Sequence, residues 1–491
     1  MIPNPLDPTP EEIRLWGEEA TALIADYLGT IRDREVYPNV SAAAIRGRLP
    51  DVLSDAPVGF SALLDDFRDL IIPWSRHNGH PRMFGYVQSP GTALAAFADL
   101  LASTLNANLT AWRSAPVAVE IERATIGAIV QLLGLDAGAA GLFVSGGSMA
   151  NLAALATARQ VKGPADLSEE GSSVLRRRMR VYASSETHHS IAKAAGLLGL
   201  GRANVRSIAI DEFFKIDLDQ LRRSIEADAK AGHLPFCVVA NAGTVNTGAI
   251  DALTDVAAVA KEFGLWLHVD ASYGGFAVLA PSVRPLFAGL DQADSISLDP
   301  HKWLYLPVDC GCVIYRDPAS ARGTFAHDAE YTRVFASEAE EAFAFWDYGP
   351  ELSRRFRALK VWMLLRGVGR RALAEAVEKD LACARHLADL ITKSEDFELL
   401  APVELSIVCF RYLPADGRES ASGQNDGKID DYNARLLVEL QGDGSSYVSN
   451  SKINGKFSLR ACIMNYRTTL ADMDILLDDL RRVARSMASP D

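Results

Sequence analysis

Six short apolar runs between residues 85 and 315 alternate with helical stretches, and this pattern limits the possible folds more than any other feature of the sequence. The runs are 141–145, 179–184, 236–243, 265–271, 294–299 and 311–316. Helical segments such as 149–160 and 253–263 separate most of them. The alternation predicts an α/β domain built around a largely parallel sheet.

The ends of the chain differ from this central part. Thr9, Pro10 and Glu12 are typical of a helix start with a capping box, and one apolar face follows. A long helix is predicted over 352–369, followed by strands, a polar loop over 414–429 and a final helix from about residue 470. We therefore expect an N-terminal helical segment (1–84), a large α/β domain (85–370) and a small α+β domain (371–491).

Charge and cysteine usage exclude several classes of protein. A net charge of −13 argues against nucleic-acid binding, which needs a dense lysine and arginine surface. The N-terminus resembles no signal peptide, and no run of 18 apolar residues predicts a membrane span. Six cysteines without a disulfide framework favour a reducing compartment, so we expect a cytoplasmic protein. Cys310 and Cys312 are interpreted as core residues, and we expect no catalytic metal.

Polar residues gather where the predicted strands end. They are Ser145 to Ser148, His188, Thr244, Asp270 and Lys302. In a parallel sheet such positions share one edge, where ligands bind. Taken singly, each motif has an ordinary interpretation: a tight turn at 145–148, a helix-capping aspartate at 270, or surface histidines beside a helix start.

Together these residues predict a pyridoxal 5'-phosphate site. The glycines and serine before a helix offer N–H groups to a phosphate. Asp270 would keep the pyridine nitrogen protonated, and Lys302, which follows a buried strand directly, would form the Schiff base.

Six motifs, in order along the chain, resemble the group II pyridoxal-phosphate-dependent amino-acid decarboxylases, the aromatic-L-amino-acid decarboxylase type. They are HPRMFGYV (80–87), SGGSMANL (145–152), WLHVDASYGG (266–275), DPHKW (299–303), LSRRFRALKVW (352–362) and LRACIMNYRTT (459–469). The resemblance implies the fold type I architecture: a large α/β/α cofactor domain, a small C-terminal domain and an N-terminal segment that clasps a partner. It also implies an obligate homodimer with its active sites at the interface.

The resemblance assigns roles to individual residues. Lys302 matches the Schiff-base lysine, Asp270 the acid at the ring nitrogen, and His188 the histidine stacked on the ring. Other cofactor contacts of the family are matched by Gly147, Ser148, Thr244 and His301. Tyr331 matches the tyrosine on a mobile loop that donates a proton to Cα.

The chain also departs from the family. Many relatives have Asn where this chain has Asp299, and a second negative charge near a phosphate is unfavourable unless it is hydrogen-bonded or turned away. In the expected substrate pocket, Tyr86 keeps an aromatic wall. Smaller or polar residues stand where animal aromatic decarboxylases have larger ones, namely Asn78, Val87, Asn108 and Thr110. Ser353 falls where the family has either Gly or Ser, and a serine there is similar to the histidine decarboxylases and the plant enzymes for phenolic amino acids.

Three functions remain open at this point. The first is decarboxylation of an aromatic L-amino acid such as tyrosine, Dopa or phenylalanine, or of histidine or a non-aromatic amino acid, through Schiff-base and quinonoid intermediates. The second is an aldehyde synthase on the same scaffold, which Tyr331 disfavours. The third, a non-catalytic dimer, is disfavoured because Lys302, Asp270 and His188 are all present.

Overall fold

The computed structural model describes residues 6–53, 55–327, 343–414 and 426–488. The chain forms two compact units. One comprises Met1–Tyr86, Tyr412–Ala461 and Arg467–Asp491, and the other comprises Val87–Arg411 and Cys462–Tyr466. The three-part division at 84/85 and 370/371 stays a prediction.

A seven-stranded sheet lies at the centre of the second unit. Its strands are β1 (Ala140–Val144), β2 (Met179–Ser184), β3 (Val205–Ile208), β4 (Leu234–Asn241), β5 (Trp266–Asp270), β6 (Ser295–Leu298) and β7 (Gly311–Tyr315). The spatial order is β1-β7-β6-β5-β4-β2-β3. Strands β3, β2, β4, β5 and β6 pair in parallel, and β7 is antiparallel to both β6 and β1. The predicted largely parallel α/β fold is confirmed.

The described helices are numbered along the chain. They are α1 (Pro10–Gly29), α2 (Ala42–Arg46), α3 (Phe60–Asp66), α4 (Ala93–Leu105), α5 (Pro116–Leu133), α6 (Gly147–Lys162), α7 (Ser190–Leu197), α8 (Leu218–Lys230), α9 (Leu253–Glu262), α10 (Pro300–Trp303), α11 (Pro318–Phe325), α12 (Arg357–Lys393), α13 (Asp426–Asp443) and α14 (Leu470–Ala488). The last four residues of the predicted 414–429 loop therefore belong to α13.

Helix α6 packs closely on the sheet because its inner face is made of small residues. Ala150, Ala153, Ala154 and Ala158 are almost completely buried. Larger side chains in such a tightly packed layer typically cost about 1–3 kcal/mol. The close packing places the first turn of α6 at the edge of the sheet, where the candidate residues gather.

Helix α12 differs from its prediction. It begins at Arg357 rather than 352 and continues to Lys393, with a break at Gly369 (φ 80°, ψ 157°). This left-handed φ is accessible to glycine without steric cost, so the chain can change direction there and resume a helix. The sequence pattern located the break and missed the second segment.

The first unit contains the capped N-terminal helix and a β-hairpin. The capping box of Thr9 and Glu12 is present, and no residue of α1 is buried. Strands β10 (Ser449–Ile453) and β11 (Lys456–Cys462) pair antiparallel. Two further strands, β8 (Phe397–Leu399) and β9 (Ile407–Tyr412), lie in the C-terminal part of the chain.

Among the helices that the structure describes, none combines the length and apolarity needed to cross a membrane.

Candidate active site

The candidate residues of the second unit emerge along one edge of the large sheet. Because β7 is antiparallel to both of its neighbours, β1 runs in the same direction as β6, and the carboxyl ends of β1, β2, β4, β5 and β6 share an edge. Asp270 is the last residue of β5, and Lys302 lies four residues beyond the end of β6. His188 follows β2, and Gly147 follows β1.

Lys302 lies on the short helix α10 and is held by a carboxylate from the same turn. Its Nζ is 2.8 Å from Oδ2 of Asp299, and the two side chains are 18% and 4% exposed. Oδ1 of Asp299 is buried without a hydrogen-bond partner. The partly buried lysine is paired with a buried carboxylate, and Asp299 retains one unsatisfied oxygen.

Contacts on both sides of Lys302 fix the backbone of α10. Nδ1 of His301 donates to the carbonyl oxygen of Cys310 at 2.7 Å. Trp303 Nε1 and the Tyr305 hydroxyl both donate to Oδ2 of Asp380, at 3.1 and 2.7 Å. Asp380 is completely buried, and burial raises its pKa to about 7, although the donated hydrogen bonds oppose this.

Asp270 is also buried but is surrounded by donors. Oδ2 accepts a hydrogen bond from Asn151 Nδ2 at 2.8 Å. Oδ1 accepts from the Ser297 hydroxyl at 3.0 Å and from the Ser272 N–H at 3.1 Å. Burial alone would raise the pKa of Asp270, but the hydrogen bonds from these donors outweigh it and hold the pKa below its usual value. The carboxylate is therefore ionised at neutral pH.

His188 is half-buried and uncharged at neutral pH. Burial, together with His189 and Lys302, lowers its pKa against the opposing charges of Asp270 and Asp299. Its Nδ1 receives the backbone N–H of Ser190 at 3.3 Å and lies 2.8 Å from the Ser190 hydroxyl. Because a backbone N–H can only donate, Nδ1 carries a lone pair, and the ring proton resides on Nε2.

The first residue of α6 is a glycine because two neighbouring side chains lie where a Cβ would stand. A Cβ at Gly147 would lie 2.4 Å from Ser272 Oγ and 3.0 Å from Asp299 Oδ2. No side chain caps the first turn of α6, so its N–H groups are available to an anion. Ser148 lies in this turn and is exposed.

Thr244 lies at the same edge, but its hydroxyl is engaged within its own turn. It is 2.9 Å from the Thr247 hydroxyl and accepts the Ala249 N–H at 3.2 Å. Thr244 is buried. It therefore shapes the loop after β4 rather than bonding to Lys302 or Asp270.

The structure brings together only some of the predicted pocket residues. Asn108 Oδ1 accepts the N–H of Arg354 at 2.9 Å, which places Asn108 beside the segment of Ser353. Val87 and Thr110 are partly exposed. Tyr86 and Asn78 belong to the other unit, where the Tyr86 hydroxyl lies 3.4 Å from that of Tyr447. Tyr331 falls outside the described residues.

Sequence reasoning missed four polar residues that touch Asp270 or its neighbours: Asn151, His268, Ser272 and Ser297. A signal was present, since Asn151 interrupts the alanine face of α6 and His268 interrupts the apolar strand β5. Their mutual contacts join residues more than 100 positions apart, which no local pattern reveals. In the described part of the chain, no group of three or more His, Cys, Asp or Glu side chains could hold a metal ion.

The chain is similar to known decarboxylases over almost its whole length. It is 34% identical over 478 residues to an aromatic-L-amino-acid decarboxylase from Bacillus atrophaeus, covering 97% of this chain and 96% of the relative. The crystal structure of Oryza sativa TDC with PLP and tryptamine superposes with a TM-score of 0.91 at 30% identity, covering 99% and 100% of the two chains. The crystal structure of Rhodiola rosea 4-hydroxyphenylacetaldehyde synthase superposes with a TM-score of 0.88 at 28% identity, covering 99% and 100%.

Residues 43–413 match the pyridoxal-dependent decarboxylase conserved domain. This match covers well over half of the chain, and the structural similarity extends to both of its ends. The chain therefore belongs to the pyridoxal-phosphate-dependent decarboxylases, carboxy-lyases that act on amino acids.

Proposed function

We propose that this enzyme decarboxylates an aromatic L-amino acid of the tyrosine, Dopa or phenylalanine type to the corresponding amine. The observation that carries the proposal is the 34% identity, along nearly the whole chain, to an aromatic-L-amino-acid decarboxylase, combined with the ionised Asp270 and the paired Lys302 at one sheet edge. Histidine or a non-aromatic amino acid is the alternative substrate.

The residues around Gly147 fit a phosphate group. Position 147 accepts no Cβ, and the first turn of α6 offers N–H groups that no side chain caps. We propose that Gly147 and Ser148 bind the phosphate there, with His301 beside them. The buried, unpartnered Asp299 Oδ1 opposes a phosphate at this place, because both groups are negatively charged.

Asp270 and Lys302 fit the reactive part of the cofactor. Pyridoxal phosphate supplies, when bound, an aldehyde that condenses with amines and a ring that accepts the electron pair left when carbon dioxide departs. Asp270 would hold a proton at the ring nitrogen, since an ionised carboxylate stabilises a cationic N–H. Lys302 would provide the attacking amine after it releases its proton.

His188 and Thr244 would complete the cofactor site. The neutral, half-buried imidazole of His188 offers a flat face that can cover the ring and exclude water. Thr244 would hold the loop after β4 in shape through Thr247 and Ala249. Tyr331, by its resemblance to the family tyrosine, would deliver the proton to Cα.

We propose that polar side chains in the substrate pocket bind a phenolic hydroxyl. Asn108 Oδ1 already accepts the N–H of Arg354, so its Nδ2 is the group that can donate to a substrate hydroxyl. Ser353, next in the same segment, adds a second hydroxyl, and Tyr86, Val87 and Thr110 are the other proposed pocket residues. Sites that hydrogen-bond a substrate hydroxyl discriminate strongly against analogues that lack it.

A substrate panel tests this function. Release of carbon dioxide and formation of amine would be measured with L-tyrosine, L-Dopa, L-phenylalanine, L-tryptophan, L-histidine, L-glutamate and branched-chain amino acids. We expect kcat/KM to be highest for a phenolic amino acid. A preference for glutamate or a branched-chain amino acid would contradict the proposal.

The Lys302 assignment has its own test. Borohydride should attach the cofactor covalently to the peptide that contains Lys302, as measured by mass spectrometry. Lys302→Ala should lose both this attachment and turnover while keeping the far-ultraviolet circular dichroism of the wild type. Attachment at another lysine would refute the role.

A second candidate function, an aldehyde synthase, is favoured by the similarity to the Rhodiola rosea enzyme. It would consume one O2 and one water for each amino acid and yield aldehyde, carbon dioxide, ammonia and hydrogen peroxide. Measuring peroxide and aldehyde beside amine separates the two functions, and we expect amine to predominate because Tyr331 is retained.

We further propose a homodimer located in the cytoplasm. Helix α1 has no buried residue, and its Ile13 and Leu15 are about half exposed. Leu100, Leu101 and Leu105 on α4 are exposed to a similar extent. Apolar surface of this extent usually binds a partner. The six cysteines are all free and buried, which favours a reducing compartment. An active monomer in sedimentation experiments would contradict the dimer.

A further inference from the structure

A chain of buried hydrogen bonds links Asp270 to His188 through a single amide. Asn151, 1% exposed, donates one Nδ2 hydrogen to Asp270 Oδ2 at 2.8 Å and lies with the same Nδ2 2.9 Å from the Ser190 hydroxyl. Ser190 in turn lies 2.8 Å from His188 Nδ1. The two hydrogens of one amide nitrogen thus serve the two residues proposed to meet opposite parts of the cofactor ring.

The carboxylate of Asp270 determines which way the Asn151 amide points. An ionised carboxylate only accepts hydrogen bonds, so Nδ2 and not Oδ1 must face Asp270. Oδ1 then faces His268 Nε2, at 2.9 Å. An oxygen there requires a proton on Nε2 of His268.

His268 is completely buried, and burial lowers its pKa to about 4 despite the opposing charge of Asp270. The ring is therefore neutral, and with Nε2 protonated its Nδ1 must accept. Two groups of Ser295 lie near Nδ1, the hydroxyl at 2.9 Å and the carbonyl oxygen at 3.2 Å. Only the hydroxyl can donate. Its oxygen in turn accepts a hydrogen bond from Trp266 Nε1 at 2.8 Å.

We propose that Asn151 is a positioning residue that orients Asp270 and His188 together, and that the Ser295 hydroxyl, acting through His268, holds its amide in place. The proposal rests on the function proposed above for Asp270 and His188. Each hydrogen bond in the series has one donor and one acceptor: Trp266 to Ser295, Ser295 to His268, His268 to Asn151, Asn151 to Asp270 and Ser190, and Ser190 to His188.

The Ser295 hydroxyl has an effect that extends beyond its own bond. Without it, Nδ1 of His268 has only the Ser295 carbonyl as a partner, which requires a proton on Nδ1. Nε2 would then be an acceptor and could no longer donate to Oδ1 of Asn151, so the amide that donates to Asp270 would lose the hydrogen bond that holds its oxygen end. A substitution three hydrogen bonds away from Asp270 would thus weaken the hold on its carboxylate.

The test uses purified holoenzyme and apoenzyme with Asn151→Ala, Ser295→Ala and the double variant. Readouts are the dissociation constant of pyridoxal phosphate, titrated into apoenzyme, and kcat and KM measured separately. A hydrogen bond to a charged group contributes about 1.5–3 kcal/mol, so we expect Asn151→Ala to weaken cofactor binding and lower kcat by roughly 10- to 100-fold. KM should change less than the other two quantities.

Ser295→Ala should produce a smaller loss in the same two quantities, and the double variant should be no worse than Asn151→Ala alone, because both act through one amide. Independent, additive losses would overturn the proposal, as would a folded Asn151→Ala enzyme with wild-type cofactor affinity and kcat. Asn433→Ala is the matched control, since Asn433 is also fully buried and makes three hydrogen bonds, all with backbone groups of Tyr412 and Ile429. It should lower the melting temperature and leave cofactor affinity unchanged.

Failure of the function proposed above would look different. In that case the wild-type enzyme itself would show no borohydride attachment at Lys302 or no decarboxylation. If Asn151→Ala does not fold, Ser295→Ala alone still decides, because it deletes one hydroxyl and leaves the amide in place. Unchanged cofactor affinity and kcat in that variant would then overturn the proposal.

Discussion

Asp270 and Asp380 are both buried in the second unit, and each accepts three hydrogen bonds, yet their pKa values move in opposite directions. Burial raises the pKa of Asp380 to about 7, whereas the donors around Asp270 overcome burial and lower its pKa. The neighbours of Asp270 include an imidazole and two elements that point N–H groups at it. Asp380 has an indole, a phenol and one long backbone contact of 3.3 Å.

The contrast separates two uses of a buried acid. Asp270 is kept charged and lies where a cation can meet it. Asp380 gains a proton easily and holds the segment directly after Lys302. The number of hydrogen bonds does not distinguish the two carboxyl groups, but the balance between burial and those hydrogen bonds does.

The largest expected effect comes from removing the charge of Asp270. Asp270→Asn keeps the volume but cannot hold a proton on the ring nitrogen, so we expect kcat to fall by about 100- to 1000-fold. Steady-state kinetics would measure the loss, and the melting temperature of the apoenzyme would check folding. Activity near that of the wild type would show that another acid serves the ring nitrogen.

Asp380→Asn should change the pH dependence of stability rather than the chemistry. Between about pH 4 and pH 7 the native Asp380 keeps its proton while the unfolded one has lost it, so wild-type stability falls as pH rises through this window. The rise in pKa from 3.8 to about 7 corresponds to at most about 4 kcal/mol. The neutral amide removes this dependence, so the variant should gain stability relative to wild type from pH 5 to pH 8.

Urea denaturation of the apoenzymes at several pH values would measure this difference. Asp270→Asn is the matched control. Because the pKa of Asp270 is lowered, this residue is ionised in both the folded and the unfolded protein from pH 5 to pH 8, and its contribution to stability is constant there. If the free energies of unfolding of wild type and Asp380→Asn differed by the same amount at every pH in that range, the contrast between the two acids would be refuted.

Asp299 is a third buried acid, and it differs from the other two because it forms an ion pair with Lys302. Asp299→Asn removes a negative charge from the proposed phosphate site and releases the lysine ammonium from its partner. Both changes favour cofactor attachment, so we expect affinity for pyridoxal phosphate to increase roughly 3- to 10-fold. The exposed Asp478→Asn should leave it unchanged, and weaker binding in Asp299→Asn would refute a repulsive role.

A smaller effect on stability than that of Asp380→Asn is expected from Tyr305→Phe, which deletes one donor to Asp380 and keeps the ring against Tyr466. The free energy of unfolding should fall by about 1–2 kcal/mol, more at pH 8 than at pH 5, because a bond to a charged carboxylate is stronger. Denaturation at the two pH values would measure it. An equal loss at both would indicate that Asp380 does not change its charge in this range.

The sequence predicted the fold well where patterns are local. Six of the seven strands of the large sheet coincide with the predicted strand runs. Strand β3 was missed because it lies at the sheet edge and its Arg206 and Ser207 are exposed. Lys302, Asp270 and His188 could be proposed from their positions after strands. The Asn151 and Asp380 contacts could not, because they depend on side chains that meet only after the sheet and its helices have packed.

The short helix α10 has a consequence for motion. His301, Trp303 and Tyr305 tie its backbone to Cys310 and Asp380, while the Lys302 side chain is held at its tip by Asp299 alone among the described contacts. The backbone of this segment is thus fixed, while the four-carbon side chain of Lys302 can rotate. Its amine can therefore leave Asp299 and return by side-chain rotations, without rearrangement of the backbone.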